Sequence, residues 1–266
     1  VKAREIGRKG IVVGDQVDVV GDLSGDEGSQ ARIVRRLERV STLRRTADDD
    51  DPVERVVVAN ATQLAVVTAT ANPDPSPGFI DRAFVAALDA GISPALIVTK
   101  ADLASPQDLV RLYEPLGIPT FIIANRKVPD DLATYLRDQE TVLLGHSGVG
   151  KSTLVNALAP SAARVTGDVN AVTGKGRHTS TSVRAIPLPA GGWIIDTPGV
   201  RSFGLAHVDP ARVIHAFPDL EEQTTNCPRA CSHDEPDCAL TTADVSPERL
   251  ESMRRLIRSR SEAPGY

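Results

Sequence analysis

The sequence predicts an α/β protein. A mostly parallel sheet with helices on both faces lies between a strand-rich N-terminal segment and a small helical C-terminal segment. Three observations predict this class. Between residues 53 and 206, β-branched apolar runs alternate with helical stretches, which is typical of parallel strands buried on both faces. Before residue 53, apolar and polar residues alternate between Gly and Asp turns, as in the half-exposed strands of a small barrel. After residue 206 the chain turns polar, carries all its cysteines and ends in an amphipathic stretch.

Each element is predicted from a short run of the sequence. The barrel segment contains GIVVGDQVDVVGD and GSQARIVRRLERVSTL, and the charged turn ADDDDP at 47–52 ends it. The later strands are predicted from VERVVVA, LAVVTA, ALIVT, TFIIA, TVLLG, VRAIPL and WIID. The helices are predicted from FIDRAFVAALDAG, SPQDLVRLYEPLG, VPDDLATYLRDQ, GKSTLVNALA and SPERLESMRRLIRSR, the last of which Ser246 caps. These changes predict domains at 1–52, 53–206 and 207–266.

Composition and charge exclude several classes of protein. The chain has 266 residues, of which 41% are apolar and 24% charged, and its net charge of −5 gives no bulk reason to expect a nucleic-acid partner. Residues 1–46 nevertheless carry ten Lys and Arg against seven Asp and Glu. Three cysteines crowded between 227 and 238 argue against a secreted disulfide framework. The longest uncharged stretch, Val56–Pro73, is interrupted by polar residues, and the first residues are charged. We therefore expect a cytoplasmic protein with no membrane segment or signal peptide.

The segment GHSGVGKST fits the phosphate-binding pattern G-x-x-x-x-G-K-[ST], between a predicted strand and a predicted helix. Its glycines allow backbone N–H groups to turn inward around phosphate oxygens, and the helix N-terminus adds positive potential. Lys151 is predicted to reach the β- and γ-phosphates, and Ser152 to bind Mg²⁺. The predicted phosphate-binding residues are Gly145, His146, Ser147, Gly148, Val149, Gly150, Lys151, Ser152 and Thr153.

A second phosphate-side motif follows the predicted strand WIID, which ends at Asp196 and leads into Pro198 and Gly199. An acid at such a strand end can hold Mg²⁺ through water. The Gly199 N–H can meet the γ-phosphate, so that the loop senses hydrolysis. Alone, this motif is weak evidence for a nucleotide site. Together with a phosphate-binding loop in the same chain, it is strong evidence.

The segment TKAD predicts that the bound base is guanine, and its predicted nucleotide contacts are Thr99, Lys100 and Asp102. Guanine offers two adjacent donors, N1–H and the exocyclic amine, and the Asp102 carboxylate can accept from both. Lys100 would lay its alkyl stem along the base, and the motif ends a predicted strand, where ligands bind in open α/β sheets. After the next strand, Ala124 and Asn125 resemble the short loop whose backbone N–H reads the guanine O6.

The order of these motifs is rotated, because a GTPase ordinarily has its phosphate-binding loop before its guanine motif. A parallel sheet whose strand ends lie close together can be cut and rejoined without losing its site. Chance would rarely put every motif at the end of a strand. The sequence therefore predicts a circularly permuted P-loop GTPase domain that binds GTP or GDP with Mg²⁺.

This order, with a basic strand-rich segment before it and a Cys/His cluster after it, resembles the ribosome small-subunit-dependent GTPase A (RsgA) family over the whole chain. The resemblance implies an N-terminal β-barrel OB-fold, a permuted GTPase domain and a C-terminal α-helical zinc-binding domain. It also implies a GTP hydrolase that binds the 30S subunit and its 16S rRNA and assists late maturation, and we expect it to be a monomer. Only residues 1–46 precede the linker, so we expect the first strands of the five-stranded barrel to lie before residue 1.

The Arg-rich part of the N-terminal segment is the expected contact with rRNA phosphate. A modest basic patch can equally be a solvated face without a partner. The predicted contacts are Arg32, Arg35, Arg36 and Arg39.

The resemblance also bears on hydrolysis. The segment GKGRHTSTS resembles the family's switch I, and His178 matches the histidine to which the family assigns a role in hydrolysis. Val200 lies near where Ras-type enzymes keep a water-orienting Gln, and an aliphatic side chain cannot orient water. His178 is therefore our predicted catalytic residue, although a switch histidine without a chemical role stays open. The switch I hydroxyl on Mg²⁺ is that of Thr179, Ser180 or Thr181.

Four residues match the family's zinc ligands in type and order: Cys227, Cys231, His233 and Cys238. Three thiolates and one imidazole make a closed tetrahedral structural site for one Zn²⁺. The spacing C-x₃-C-x-H-x₄-C is one residue shorter in both outer gaps than is usual in the family, which leaves open a reduced loop with spare thiols.

Two other functions stay open at this stage. One is a permuted GTPase that acts on the large ribosomal subunit, although such proteins do not pair an N-terminal OB segment with a Cys₃His cluster. The other is a GTP-regulated rRNA-binding module with little catalysis. Turnover measured with and without ribosomal subunits separates them.

Overall fold

The computed structural model of this protein describes residues 10–24, 26, 28–46, 53–160, 183–197, 204–205 and 207–259; the predicted linker at 47–52 lies outside them. The first strands of the described part are β1 (Val17–Gly21), β2 (Ala31–Arg36), β3 (Thr42–Arg45) and β4 (Arg55–Ala59). β1 pairs antiparallel with β2, and β3 pairs antiparallel with β4. The strand predicted from VERVVVA is β4, and its partner is β3 rather than a strand of the central sheet.

The central sheet contains β5 (Gln63–Ala69), β6 (Ser93–Thr99), β7 (Thr120–Ile122), β8 (Glu140–Leu144), β9 (Arg184–Pro187) and β10 (Trp193–Asp196). Their order across the sheet is β7-β6-β5-β8-β10-β9. Neighbouring strands are parallel except for β9 and β10, which are antiparallel. The prediction of a mostly parallel sheet is confirmed.

Helices cover both faces of this sheet. In chain order they are α1 (Pro77–Asp89), α2 (Gln107–Tyr113), α3 (Asp130–Tyr135) and α4 (Lys151–Leu158). Every residue of β5 is buried. Because successive side chains of a strand point to opposite faces, Leu64 and Val66 join the core under α1, whereas Ala65 and Val67 join a second core with α3 and α4.

The strand order reverses between β5 and β8. The chain runs outward through β5, β6 and β7, and then returns to place β8 on the other side of β5. Such a reversal opens a crevice beyond the carboxyl ends of the two strands, where ligands of open α/β sheets bind. Gly145, directly after β8, lies close against the backbone of β5. A Cβ at this position would lie 2.2 Å from the carbonyl oxygen of Val67. A residue without a side chain is required at this position.

The C-terminal unit (residues 207–259) contains α5 (Pro218–Glu221), α6 (Pro247–Ser259) and 3₁₀ turns at Pro210–Ala216, Glu222–Thr224 and Ala239–Thr241. The Ser246 hydroxyl accepts a hydrogen bond from the Arg249 N–H at 3.4 Å, as its predicted capping role requires. Among the helices of the described ranges, none combines the length and apolar character needed to cross a bilayer.

Buried charges join the C-terminal unit to α1. Arg255 of α6 pairs with Asp81 of α1 at 2.9 Å, and its guanidinium lies 5.1 Å from the ring centroid of Tyr113. Arg82 of α1 donates a hydrogen bond to the carbonyl oxygen of Ser259. These arginine and aspartate side chains therefore serve the packing of the unit on the sheet.

Candidate functional site

The phosphate-binding loop connects β8 to α4, as predicted. Gly148 and Gly150 have φ angles of 85° and 98°, a conformation that other residues rarely adopt. Gly150 directly precedes α4, so the unpaired N–H groups of the first helical turn face the loop. Ser147, Ser152 and Thr153 are exposed at the mouth of the crevice. The segment therefore has the shape and the donors of an anion site.

Lys151 and Asp196 place opposite charges at this loop. The Lys151 ammonium donates to the carbonyl oxygens of Gly145 and, at 3.2 Å, of His146. Desolvation lowers the pKa of Lys151, and the charge of Asp196 opposes that shift. Desolvation raises the pKa of Asp196, and the charges of Lys151 and Arg184 oppose it. Both groups are thus partly removed from water. Their interactions with a charged ligand are stronger there than they would be in bulk water.

Asp196 fits the predicted Mg²⁺ site. Its Oδ1 atom is buried and has no hydrogen-bond partner within the described part of the chain. A buried carboxylate oxygen of this kind costs free energy unless a donor or a cation meets it, and Mg²⁺ prefers such hard oxygen ligands. The exposed hydroxyl of Ser152 at the start of α4 can supply a second oxygen ligand.

The predicted guanine-reading residues meet beyond the ends of β6 and β7. The Asn125 N–H donates to Asp102 Oδ1 at 2.8 Å. The Ala101 N–H donates to the carbonyl oxygen of Ile123 at 3.1 Å, which holds the TKAD turn against the Ala124–Asn125 loop. Asp102 and Asn125 are exposed, so both motifs face the same solvent-filled edge of the sheet.

The side chain of Thr99, a predicted nucleotide contact, is turned into the protein. Its side chain is buried, and Oγ1 lies 3.1 Å from the carbonyl oxygen of Thr68 and 2.5 Å from that of Val149. The hydroxyl therefore links β6 to β5 and to the phosphate-binding loop. The Val149 side chain is also buried, in the core under α3 and α4.

Sequence reasoning missed one contact of the loop. The ring of Phe79, at the start of α1, lies with its centroid 4.3 Å from that of His146. This contact packs α1 against the phosphate-binding loop. No sequence signal joins the two residues, because Phe79 reads only as an apolar residue in the first turn of a helix.

Five predicted site residues lie outside the described residues: His178, Thr179, Ser180, Thr181 and Gly199. The predicted roles of these residues in hydrolysis, in Mg²⁺ binding and at the γ-phosphate therefore stay predictions.

The structure brings the four predicted zinc ligands together. One ligand atom from each of Cys227, Cys231, His233 and Cys238 lies within 4.8 Å of the others. Cys227 Sγ is 3.7 Å from Cys238 Sγ, and His233 Nδ1 is 3.6 and 3.8 Å from these two sulfurs. Tetrahedral Zn²⁺ with bonds of about 2.3 Å to sulfur needs sulfurs about 3.8 Å apart. The cluster therefore fits a zinc ion.

Backbone turns accommodate the short spacing of the cluster. Ala230 and His233 adopt left-handed φ angles of 58° and 72°, which are uncommon for residues with a side chain. Desolvation lowers the pKa of His233, which favours the neutral imidazole that a metal ligand must be. Arg254 donates to the carbonyl oxygen of His233 at 3.0 Å and so links the cluster to α6.

The predicted rRNA-binding arginines differ in their surroundings. Arg32, Arg35 and Arg36 are exposed on β2. Arg35 pairs with Asp18 at 2.5 Å, but its side chain is 69% exposed, so this pair is weak. Arg39 instead makes two hydrogen bonds, at 2.6 and 2.8 Å, to Asp15, whose side chain is fully buried. The Arg39 guanidinium is thus committed within the protein, which the sequence did not indicate.

Comparisons with known proteins show which family this chain resembles. A model of the RsgA GTPase family matches residues 36–206. A small ribosomal subunit biogenesis GTPase RsgA of Pseudomonas aeruginosa is 38% identical over 266 residues, which cover 95% of this chain and 76% of the relative. The protein of the same name from Azotobacter vinelandii is 37% identical and covers 91% of this chain, with 74% of the relative covered.

Solved structures support the same assignment. The crystal structure of YjeQ from Thermotoga maritima has a TM-score of 0.67 over 97% of this chain and 87% of its own, and at 24% identity it supports the fold alone. The crystal structure of YloQ, a circularly permuted GTPase, has a TM-score of 0.64 at 25% identity, over 96% of this chain and 83% of its own. The rotated order of the motifs, the strand order of the sheet and these comparisons lead to one conclusion. This chain is a circularly permuted GTPase and belongs to the RsgA GTPase family.

Proposed function

We propose that this protein hydrolyses GTP in the biogenesis of the small ribosomal subunit. One observation carries the proposal: three charged residues lie at or beyond the carboxyl ends of parallel strands in one sheet. Asp102 follows β6, Lys151 begins the helix after β8 and its loop, and Asp196 ends β10. A carboxylate for the base, an ammonium for the phosphates and a carboxylate for the metal are groups that GTP hydrolysis of this type uses. Two relatives that are named small ribosomal subunit biogenesis GTPases support the choice of partner.

We assign the nucleotide contacts residue by residue. Lys100, Asp102 and the Ala124–Asn125 loop bind the base. The loop at 145–153 binds the phosphates through its N–H groups and Lys151, and Gly199 meets the γ-phosphate. Ser152 and Asp196, with Ser180 or Thr181, bind Mg²⁺, which when bound neutralises charge on the β- and γ-phosphate oxygens.

The proposed hydrolysis depends on groups set in a partly dry crevice. The Lys151 ammonium is desolvated, and hydrogen bonds to two loop carbonyl oxygens hold it beside the loop, so its charge is already in place for the phosphates that the loop would bind. We assign the orientation of the attacking water to His178. Without a water-orienting Gln, the isolated enzyme should be slow, on the order of 10⁻⁴ to 10⁻² s⁻¹.

We also propose that the Cys/His cluster holds one structural Zn²⁺. The interatomic distances support this, since they match the edges of a zinc tetrahedron. A closed set of four protein ligands leaves no position for a substrate, so the metal stabilises the C-terminal unit and takes no part in hydrolysis.

The surface proposed for 16S rRNA is the exposed side of β2, with Arg32, Arg35 and Arg36. Exposed guanidinium groups can pair with phosphates and release counterions. The apolar side chains of Val20 and Leu23 are exposed on and just beyond the neighbouring strand β1 and can meet bases or sugars. We propose that a monomer binds the subunit in the cytoplasm through this surface.

GTP turnover measured with purified ribosomal subunits tests the proposal. We expect 30S particles to raise turnover about tenfold or more, and 50S particles much less. The stimulation should weaken as salt rises, because phosphate contacts release counterions. The double variant Arg35→Glu/Arg36→Glu should lose the stimulation, whereas the control Arg111→Glu/Arg137→Glu, an equal change of charge at exposed sites on and beyond other helices, should keep it.

Each alternative predicts a different result of this experiment. Equal stimulation by 50S particles would favour the GTPase of the large subunit. Binding of 30S particles without turnover would favour the GTP-regulated rRNA-binding module. A charge reversal on β2 that leaves stimulation unchanged would remove β2 from the contact surface.

A further inference from the structure

Thr70, the residue directly after β5, makes two hydrogen bonds to the backbone of the TKAD segment. The Thr70 N–H donates to the carbonyl oxygen of Thr99 at 3.0 Å. The Thr70 hydroxyl donates to the carbonyl oxygen of Lys100 at 2.6 Å. One residue thus binds two consecutive carbonyl groups of the TKAD segment, although it lies in another loop and outside every motif of the sequence.

The hydrogen bond from the Thr70 hydroxyl is made at the residue of TKAD whose backbone conformation is least favourable. Lys100 has a φ angle of 57°, a left-handed conformation that costs free energy for a residue with a side chain. The turn at Lys100 decides where the next residues point. Beyond it, Ala101 bonds to Ile123 and Asp102 accepts from Asn125. A hydrogen bond to the Lys100 carbonyl therefore fixes the direction in which the Asp102 carboxylate leaves the sheet.

The loop that carries Thr70 touches both halves of the nucleotide site. The Asn72 carbonyl oxygen accepts a hydrogen bond from the Lys100 ammonium. Pro73 packs near the phosphate-binding loop, since a Cβ built on Gly148 would lie 3.6 Å from its Cδ. Thr70 therefore belongs to a loop that lies against the guanine motif. Its half-buried hydroxyl has a specific acceptor there, the carbonyl oxygen of Lys100.

We infer that Thr70 is a positioning residue for guanine recognition. Its hydroxyl holds the strained turn at Lys100, so that the Asp102 carboxylate meets both donors on the guanine edge. The inference rests on the proposed assignment of Asp102 to the base. Thr70 itself does not touch the nucleotide, and its effect is on discrimination between bases that differ in those donors.

The test is the ratio of affinities for GDP and inosine diphosphate, which lacks the exocyclic amine, measured by calorimetry or by competition with a fluorescent nucleotide. In Thr70→Val and in Thr70→Ala, we expect the preference for GDP to fall about threefold to tenfold, because the carboxylate no longer faces both donors. Thr70→Ser keeps the hydroxyl and should restore the preference. Two different substitutions that remove the hydroxyl keep the test usable if one variant folds poorly.

Two further variants separate the possible outcomes. Thr62 flanks the opposite end of β5 and makes comparable hydrogen bonds to residues 139 and 140, so Thr62→Val controls for general loss of a threonine hydroxyl and should keep the wild-type ratio. Asp102→Asn should reduce the ratio. If Asp102→Asn reduces it and both Thr70 deletions leave it unchanged, or weaken GDP and inosine diphosphate equally, the inference about Thr70 is wrong. If Asp102→Asn also leaves the ratio unchanged, the assignment of Asp102 to the base fails, and the inference fails with it.

Discussion

Asp102 is exposed and accepts a hydrogen bond from the backbone of Asn125, so its carboxylate is held at the base-binding edge while it remains open to a ligand. In Asp102→Asn, one acceptor becomes a donor and a negative charge is lost. We expect GTP affinity to fall by about 2–3 kcal/mol, the scale of a charge-assisted pair. Xanthosine triphosphate, whose 2-oxo group accepts, should bind the variant better than it binds the parent. Equal GTP affinity in parent and variant would contradict the assignment of TKAD.

Residue identity alone did not decide what each candidate side chain does. Asp102 and Lys151 have the positions that their motifs predict, because each motif follows its strand directly. Thr99 and Arg39 have hydrogen-bond partners that no motif indicates: a carbonyl in the phosphate-binding loop for Thr99 and the buried Asp15 for Arg39. Those partners lie 50 and 24 positions away along the chain, and local pattern carries no information about them.

The element that decides how the molecule is assembled is α1. It packs against the sheet on one side and against α6 on the other, and its residues from 79 to 87 are all buried. Among them are Asp81 and Arg82, which an apolar helix can bury only with partners. α6 supplies a partner to each of them: the Arg255 side chain pairs with Asp81, and the Ser259 carbonyl oxygen accepts from Arg82.

Removal of the Arg255 guanidinium should therefore destabilise the protein. In Arg255→Ala, a carboxylate with 4% of its side chain exposed loses its charge-assisted hydrogen bonds to Arg255, and we expect the free energy of unfolding to fall by about 2 kcal/mol. The matched control is Arg44→Ala, which breaks the exposed pair of Arg44 with Glu54 and should cost less than about 1 kcal/mol. Urea denaturation of both variants measures the difference. Equal losses would mean that the Asp81 pair contributes no more than a surface pair.

At the scale of the whole molecule, the Cys/His cluster should stabilise the C-terminal unit independently of the nucleotide site. Purified protein should contain about one Zn²⁺ per chain. In Cys231→Ser, or after chelation, amides from about residue 220 to 259 should exchange faster with solvent, because metal binding supplies folding free energy to such small units. GTP affinity should change little, since the nucleotide contacts lie on other elements. Elemental analysis without zinc, in protein prepared without chelator, would support the loop with spare thiols instead.

The sequence by itself determined the class of the fold, the site chemistry and the permutation. Buried strands, helix starts and glycine-rich turns are local patterns, and each motif is a short run attached to one strand. Since strands of a parallel sheet end at one edge, the order of the motifs was enough to predict a single nucleotide site there. The four candidate metal ligands lie within 12 consecutive residues, from Cys227 to Cys238, and their types and order were enough to predict the cluster.

Only the tertiary structure decided which partners the other polar side chains have. The pairing of β4 with β3, the buried hydroxyl of Thr99, the Asp81–Arg255 pair and the hold of Thr70 on Lys100 all join residues that are distant in the chain or lie in different elements. A side chain's periodicity shows whether it faces a core, but the partner that satisfies it depends on how separate elements pack. The presence of Asp102 in a motif was therefore evident from the sequence, whereas the hydrogen bonds that orient its segment came from the folded chain.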